Sequence, residues 1–199
     1  MTDTAIIRAE GEGERLWFYG GGVFTIKASG AETGGSLFMF EDTMAEGKTT
    51  PLHLHPDYEE AIYVIEGELL VHCDGENHRL GAGGVGVVPR GVPHALLVTS
   101  KIARVLVMVV PGKGEAFFRG ASEPATADTD ASGPVDFDRL RHSAERNGGL
   151  EILGPQDGLP ALPNFSVNLY MPRGGGTVIA QELARQIRES LLGRRLQAA

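Results

Sequence analysis

From residue 16 to residue 110 the chain never holds a helical period long enough to bury one face of a helix. Short apolar or alternating runs are separated instead by turn residues such as Asp74-Gly75. That feature leaves little besides an all-β body, because short apolar or alternating runs at close spacing pair as strands and leave no room for crossover helices. Ten runs carry the pattern: 16–18, 23–28, 36–41, 51–55, 61–65, 68–73, 77–80, 85–88, 94–99 and 104–110. Glycine, at 28 of 199 residues, is roughly twice its usual ~7% share, which fits many tight turns. A sandwich or barrel is the expected body, with turns at Ser29-Gly30, Glu66-Gly67 and Asp74-Gly75.

After Pro111 the character changes. A short helix is expected over 114–120, then a small, polar, proline-bearing stretch that reads as a solvated linker. Pro134 stands where a helix can start, residues 135–146 can continue it, and Asn147-Gly148-Gly149 stops it. A short strand over 165–170 and a last helix over 177–196 follow, the latter with Ile179, Leu183, Ile187 and Leu191 on one face. That helix is basic, with Arg185, Arg188, Arg194 and Arg195 against Glu182 and Glu189. The expected division is an N-terminal arm (1–15), a β body (16–120), a linker (121–134) and a partly helical C-terminal extension (135–199).

The chemistry concentrates in two segments. His53 and His55 are two residues apart, so on a strand both imidazoles leave by the same face. Pro56 and Asp57 break that strand, and the chain returns through Glu60 in phase with Ile62 and Val64, which points Glu60 inward from the neighbouring strand. Glu59 can exchange roles with it. His94 opens another strand after the turn Pro89-Arg90-Gly91. Three imidazoles and a carboxylate suit one divalent transition metal (Fe, Mn, Ni, Co, Cu or Zn) rather than calcium. Four protein ligands, His53, His55, Glu60 and His94, leave a coordination position for substrate. Asp57 and Glu59 are candidate acceptors for the spare imidazole N–H groups. His72 and His78, on the hairpin about Asp74-Gly75, read as surface residues, His142 as a solvated residue of a polar helix, and Cys73 as a small buried apolar residue. Tyr58 and Tyr63 read as packing residues, Tyr63 facing away from the metal. Trp17, Phe18, Phe24, Phe38, Phe40 and Met108 read as core or pocket wall, and Arg90 as a surface arginine of its turn.

Both segments resemble the paired motifs of the cupin superfamily. Gly47, His53, His55, Glu60 and Gly67 match the first, and Gly83, Pro89, Gly91 and His94 the second; Val98 stands where the second has asparagine. The resemblance covers about residues 16–120. It implies a cupin jelly-roll β-barrel, a double-stranded β-helix, carrying the C-terminal extension. Within that superfamily the chain is most similar to single-cupin proteins grouped with quercetin 2,3-dioxygenases. The implied activity is a metal-dependent dioxygenase acting on a small aromatic or enolic substrate, with Glu60 both a ligand and the acceptor of the substrate proton. A homodimer paired through edge strands is implied as well. Two further readings stay open: a redox-neutral isomerase, cyclase or lyase on the same metal, and a non-catalytic small-molecule-binding barrel.

Composition narrows the partners. The net charge is −8, which supplies no field to attract nucleic acid or an anionic membrane. No apolar run approaches ~18 residues, so no membrane span is expected. The start of the chain lacks the long apolar core of a secretion signal, and a single cysteine fits a reducing compartment; a cytoplasmic location is the expectation.

Overall fold

A computed structural model of the chain describes residues 4–133 and 135–154. Ten strands come first: β1 (Arg15–Phe18), β2 (Gly22–Ala28), β3 (Phe38–Ala45), β4 (Leu52–Leu54), β5 (Glu59–Glu66), β6 (Glu68–Cys73), β7 (Glu76–Gly81), β8 (Val85–Val88), β9 (His94–Val98) and β10 (Ile102–Val110). A 3-10 turn (Gly112–Gly114) leads into helix α1 (Glu115–Gly120). Strand β11 (Ser122–Pro124), helix α2 (Phe137–Asn147) and strand β12 (Glu151–Gly154) follow. The expected strand over 165–170, the helix over 177–196 and the start at Pro134 lie outside the described residues.

The pairings are nested. β6 pairs β7, β5 pairs β8, β4 pairs β9 and β3 pairs β10, all antiparallel. Residues 38–110 therefore form one long antiparallel double strand, closed at the β6–β7 turn and rolled up. β3, β10, β5 and β8 fall in a seven-stranded sheet, and β4, β9, β6 and β7 in a five-stranded one. This is the jelly roll that the motifs implied. At the closing turn Asp74 and Gly75 both have positive φ (52° and 77°), as a two-residue type I′ hairpin requires.

Alternation along the strands fills the space between the sheets. β3 buries Phe38, Phe40, Asp42 and Met44 and turns the residues between them outward. Opposite it, β10 buries Ala103, Val105, Val107 and Val109. The larger of these apolar side chains contribute about 1.5–3 kcal/mol each on burial. Phe18, Phe24, Phe38, Phe40 and Phe118 form one tilted and edge-on cluster with centroids 4.8–6.1 Å apart, which joins α1 to the barrel.

The corner at Gly67 carries the chain from the first sheet to the second. Its φ is +81°, and a Cβ there would stand 2.2 Å from the Ile102 carbonyl oxygen and 2.5 Å from Ser100 Oγ. Gly67→Ala is expected to lower stability by about 1–3 kcal/mol, because it adds left-handed backbone strain to a clash with main chain. Urea denaturation should show a lower midpoint at an unchanged m value.

The C-terminal part is integral to both sheets. β11, inside the stretch expected as linker, pairs with β1, and β12, where no strand was expected, pairs with β4. Each thereby occupies the edge of one sheet. α2 begins where Asp136 Oδ1 accepts from the Arg139 amide at 3.1 Å and ends at Gly148 (φ 64°). No helix among the described residues is long and apolar enough to cross a membrane.

Candidate metal centre

The register of the five-stranded sheet brings the two motifs together. His53 on β4 lies directly opposite His94 on β9. His55, one residue past β4, is fixed by its carbonyl, which accepts from the Gly91 amide at 2.9 Å. The turn of the second motif is thus hydrogen-bonded to the first. All three imidazoles are buried, with ring centroids 4.2–5.0 Å apart. One ring nitrogen from each lies within 4.8 Å of the others. Two nitrogens sharing an ion at about 2.1 Å would stand about 3–4 Å apart, so only small movements separate this arrangement from coordination.

Tautomers follow from the hydrogen bonds. His53 Nδ1 stands 2.8 Å from the Pro51 carbonyl oxygen, and His94 Nδ1 stands 3.0 Å from that of Val92. A carbonyl only accepts, so both Nδ1 atoms carry a proton, and in the neutral rings both Nε2 atoms present lone pairs. These backbone carbonyls fill the role expected of Asp57 and Glu59. Glu59 is exposed and stands 3.7 Å from Arg90, itself an exposed turn residue as expected. The third ring is set by Tyr58, which stacks on His55 at 4.3 Å and 21°. Tyr58 is fully buried, its hydroxyl has no partner among the described residues, and burial pushes that hydroxyl well above the ordinary phenol range.

Glu60 reaches the histidines from the other side of the barrel. It sits on β5 of the seven-stranded sheet, paired with Val109 and Val88, rather than on a strand adjoining β4. Its Oε2 is 3.5 Å from His94 Nε2, too long for a good hydrogen bond, and that nitrogen has no other partner among the described residues. A lone pair facing a carboxylate in a buried setting fits a cation between them. Burial alone would raise the Glu60 pKa, but the surrounding imidazoles outweigh it and draw it to about 2. Burial, reinforced by the neighbouring rings, lowers His53 to about 3, and burial lowers His55 to about 4 against the pull of Glu60. Burial also opposes protonation of His94, yet the Glu60 carboxylate beside it lifts its pKa. Two neutral imidazoles, a third beside a carboxylate, and lone pairs turned inward form a donor set suited to a divalent transition metal. The three histidines are positioned to bind one.

The centre lies in a cavity with about 710 Å³ of free space, including the part open to solvent. Phe18, Phe40, Phe117 and Phe118 supply aromatic wall, and Ile62 lines it as its phase predicted. Leu140 of α2 and Ile152 of β12 close another side, so the C-terminal extension shapes the cavity. Two charged residues that the sequence reading passed over, Asp42 and Lys48, also line it. The signal for Asp42 was present: it occupies the inward phase of Phe38, Phe40 and Met44, where a charge is out of place.

The remaining histidines stand away from the centre. His78 and His142 are exposed, as expected. His72 is not a surface residue: it is 3% exposed, and its Nδ1 meets Asn77 Oδ1 at 2.9 Å. A hairpin position says nothing of what covers the outer face of the sheet. Cys73 is partly buried against the core, Tyr63 is 41% exposed, and Val98 is fully buried.

Comparison with known proteins agrees with this geometry. Residues 40–110 match the cupin domain family. Over 102 residues the chain is 34% identical to quercetin 2,3-dioxygenase from Bacillus subtilis, a match covering 51% of this chain. The chain spans 30% of that relative's length. Among solved structures, an RmlC-like cupin from Shewanella frigidimarina aligns with a TM-score of 0.48 and 22% identity, over 56% of this chain and 95% of the other. KdgF from a Halomonas species aligns with a TM-score of 0.42 and 23% identity, over 46% and 81%. The barrel that gathers the three histidines matches the cupin domain family over residues 40–110 and is similar in sequence to part of a quercetin 2,3-dioxygenase.

Proposed function

We propose that the protein is a metal-dependent oxygenase that uses dioxygen to oxidise a flat aromatic or enolic hydroxyl compound. The observation that carries this reading is the buried cluster of His53, His55, His94 and Glu60, of which His53, His55 and Glu60 line a cavity walled with phenylalanine. The sequence similarity to a quercetin 2,3-dioxygenase supports it. A divalent metal held by the three imidazoles, with Glu60 as fourth ligand, would supply a Lewis acid for the substrate oxygen and, with a redox-active ion, access to dioxygen chemistry. The chain's own residues do the rest. Glu60 Oε2, ionised and aimed at the centre, takes the proton of the substrate hydroxyl. The Pro51 and Val92 carbonyls hold two imidazoles in the ligating tautomer, and Tyr58 keeps the third ring in plane. The phenylalanine wall takes the flat apolar body of the substrate and excludes water from it.

The test is oxygen consumption with a panel of flavonols and catechols, using protein loaded separately with Fe, Ni and Mn. Uptake with at least one pairing of metal and substrate is expected, and its absence throughout would overturn the reading. Turnover that persists under nitrogen, or with redox-inert Zn, would replace it with redox-neutral Lewis-acid chemistry at the same site.

A further inference from the structure

The cavity holds a second polar group that the proposed chemistry does not use. Asp42 on β3 and Lys48, in the loop before β4, meet across the barrel with Lys48 Nζ 2.7 Å from Asp42 Oδ2. Their side chains are only 8% and 5% exposed, and both line the same cavity as His53, His55 and Glu60. Among the described residues Asp42 Oδ1 has no hydrogen-bond partner. Lys48 Nζ also lies 5.4 Å from the centre of the Phe18 ring. Gly22 leaves space for the pair: a methyl there would come 2.8 Å from Asp42 Oδ1 and 2.9 Å from Lys48 Nζ.

A buried ion pair is a poor stabilising device, since apolar residues of similar volume usually serve as well or better. One that leaves an acceptor unpaired is poorer still. Both features make sense if the free oxygen is satisfied by something that enters the cavity. We propose that Asp42 and Lys48 form a polar anchor for a hydroxyl group of the ligand, with Asp42 Oδ1 accepting the hydroxyl hydrogen. The proposal rests on the reading of the cavity as a substrate site and narrows its substrate class. The ligand carries a metal-binding oxygen at one end, an apolar ring system against the phenylalanines, and a second, neutral hydroxyl elsewhere on its frame. A carboxylate or phosphate is disfavoured at that end, because Asp42 already neutralises Lys48 and would repel a second anion.

The experiment is isothermal titration calorimetry on the Zn-loaded protein, in which the redox-inert metal prevents oxidation. The probes are 3-hydroxyflavone and its 4′-hydroxy and 7-hydroxy derivatives. At least one derivative should bind the wild type about tenfold or more tighter than the parent, as a hydrogen bond to a buried charged group implies. In the doubly substituted Asp42→Leu, Lys48→Met protein that preference should fall to about twofold or less, with the parent's affinity kept within about threefold and the metal content unchanged. A crystal structure of the wild-type complex should place the ligand hydroxyl within about 3.2 Å of Asp42 Oδ1, a readout that survives if the double variant fails to fold. Equal affinities in the wild type, a preference that persists in the variant, or no binding of any probe would overturn the proposal. Selective binding without oxygen uptake by the Fe-, Ni- and Mn-loaded proteins would overturn the oxygenase reading and leave the anchor standing.

Discussion

Glu60→Gln should yield a protein that keeps its metal and its fold but turns over about 10²–10⁴ times more slowly, the usual contribution of a positioned proton acceptor. Glutamine keeps the shape of the side chain and a carbonyl oxygen for the site, but that oxygen cannot take up a proton at neutral pH. His94→Ala removes an imidazole whose Nε2 stands 3.5 Å from Glu60 Oε2. Metal occupancy, read by elemental analysis after dialysis, should then collapse along with turnover. The two variants therefore separate holding the ion from moving the proton. Glu59→Gln is the control: that side chain is half exposed and turned toward Arg90, so its loss should change turnover by less than about twofold. A Glu60→Gln protein with wild-type turnover would remove Glu60 from the chemistry, whatever the metal content.

The largest effect on stability is expected from Lys48→Met. It strips the only side-chain hydrogen bond that Asp42 makes among the described residues, leaving a buried carboxylate in register with Phe24 and Val105 and in phase with Phe40 and Met44. The cost should be about 3–5 kcal/mol, the range for breaking a buried pair from one side. Burial already pushes the Asp42 pKa up even with the ammonium present, so the lone carboxylate will take up a proton more readily and recover part of that loss. Adding Asp42→Leu to Lys48→Met should restore most of the stability, or exceed the wild type, because the polar group that needed a partner is gone. Urea denaturation of the single and double variants closes the cycle and isolates the coupling between the two side chains. A Lys48→Met protein within about 1 kcal/mol of wild type would mean that water reaches Asp42, and the pair would lose its standing as a buried feature.

The strand rhythm was legible because alternation is local. Phe38 and Phe40, or Ile62 and Val64, announce an inward face without knowledge of what lies opposite. The histidines were legible for the same reason: spacing of two within a strand, and a glycine-containing turn ahead of His94, are properties of short segments. The body and end of helix α2 were legible, since a glycine stop acts on one turn of chain, but its cap, Asp136, was not read. What faces what across the barrel is a different matter. The sequence put Glu60 on a strand beside His53, whereas rolling of the double strand sends β5 to the other sheet and brings the carboxylate in from across the cavity. The same closure gives β12 an edge of the histidine sheet and brings Asp42 and Lys48 into the cavity that His53 and His55 line. By itself the sequence determined the all-β body, the phase of β5 and the residues able to bind a metal, because period, turn chemistry and donor type are written within a few neighbouring residues. Trp17 and Met108, expected in the core or pocket wall, fall instead on the outward phase of their strands. Only the tertiary structure decided how those donors converge and what else shares their cavity, because both depend on contacts between segments far apart in the chain, whose geometry is fixed by how the two sheets close on one another.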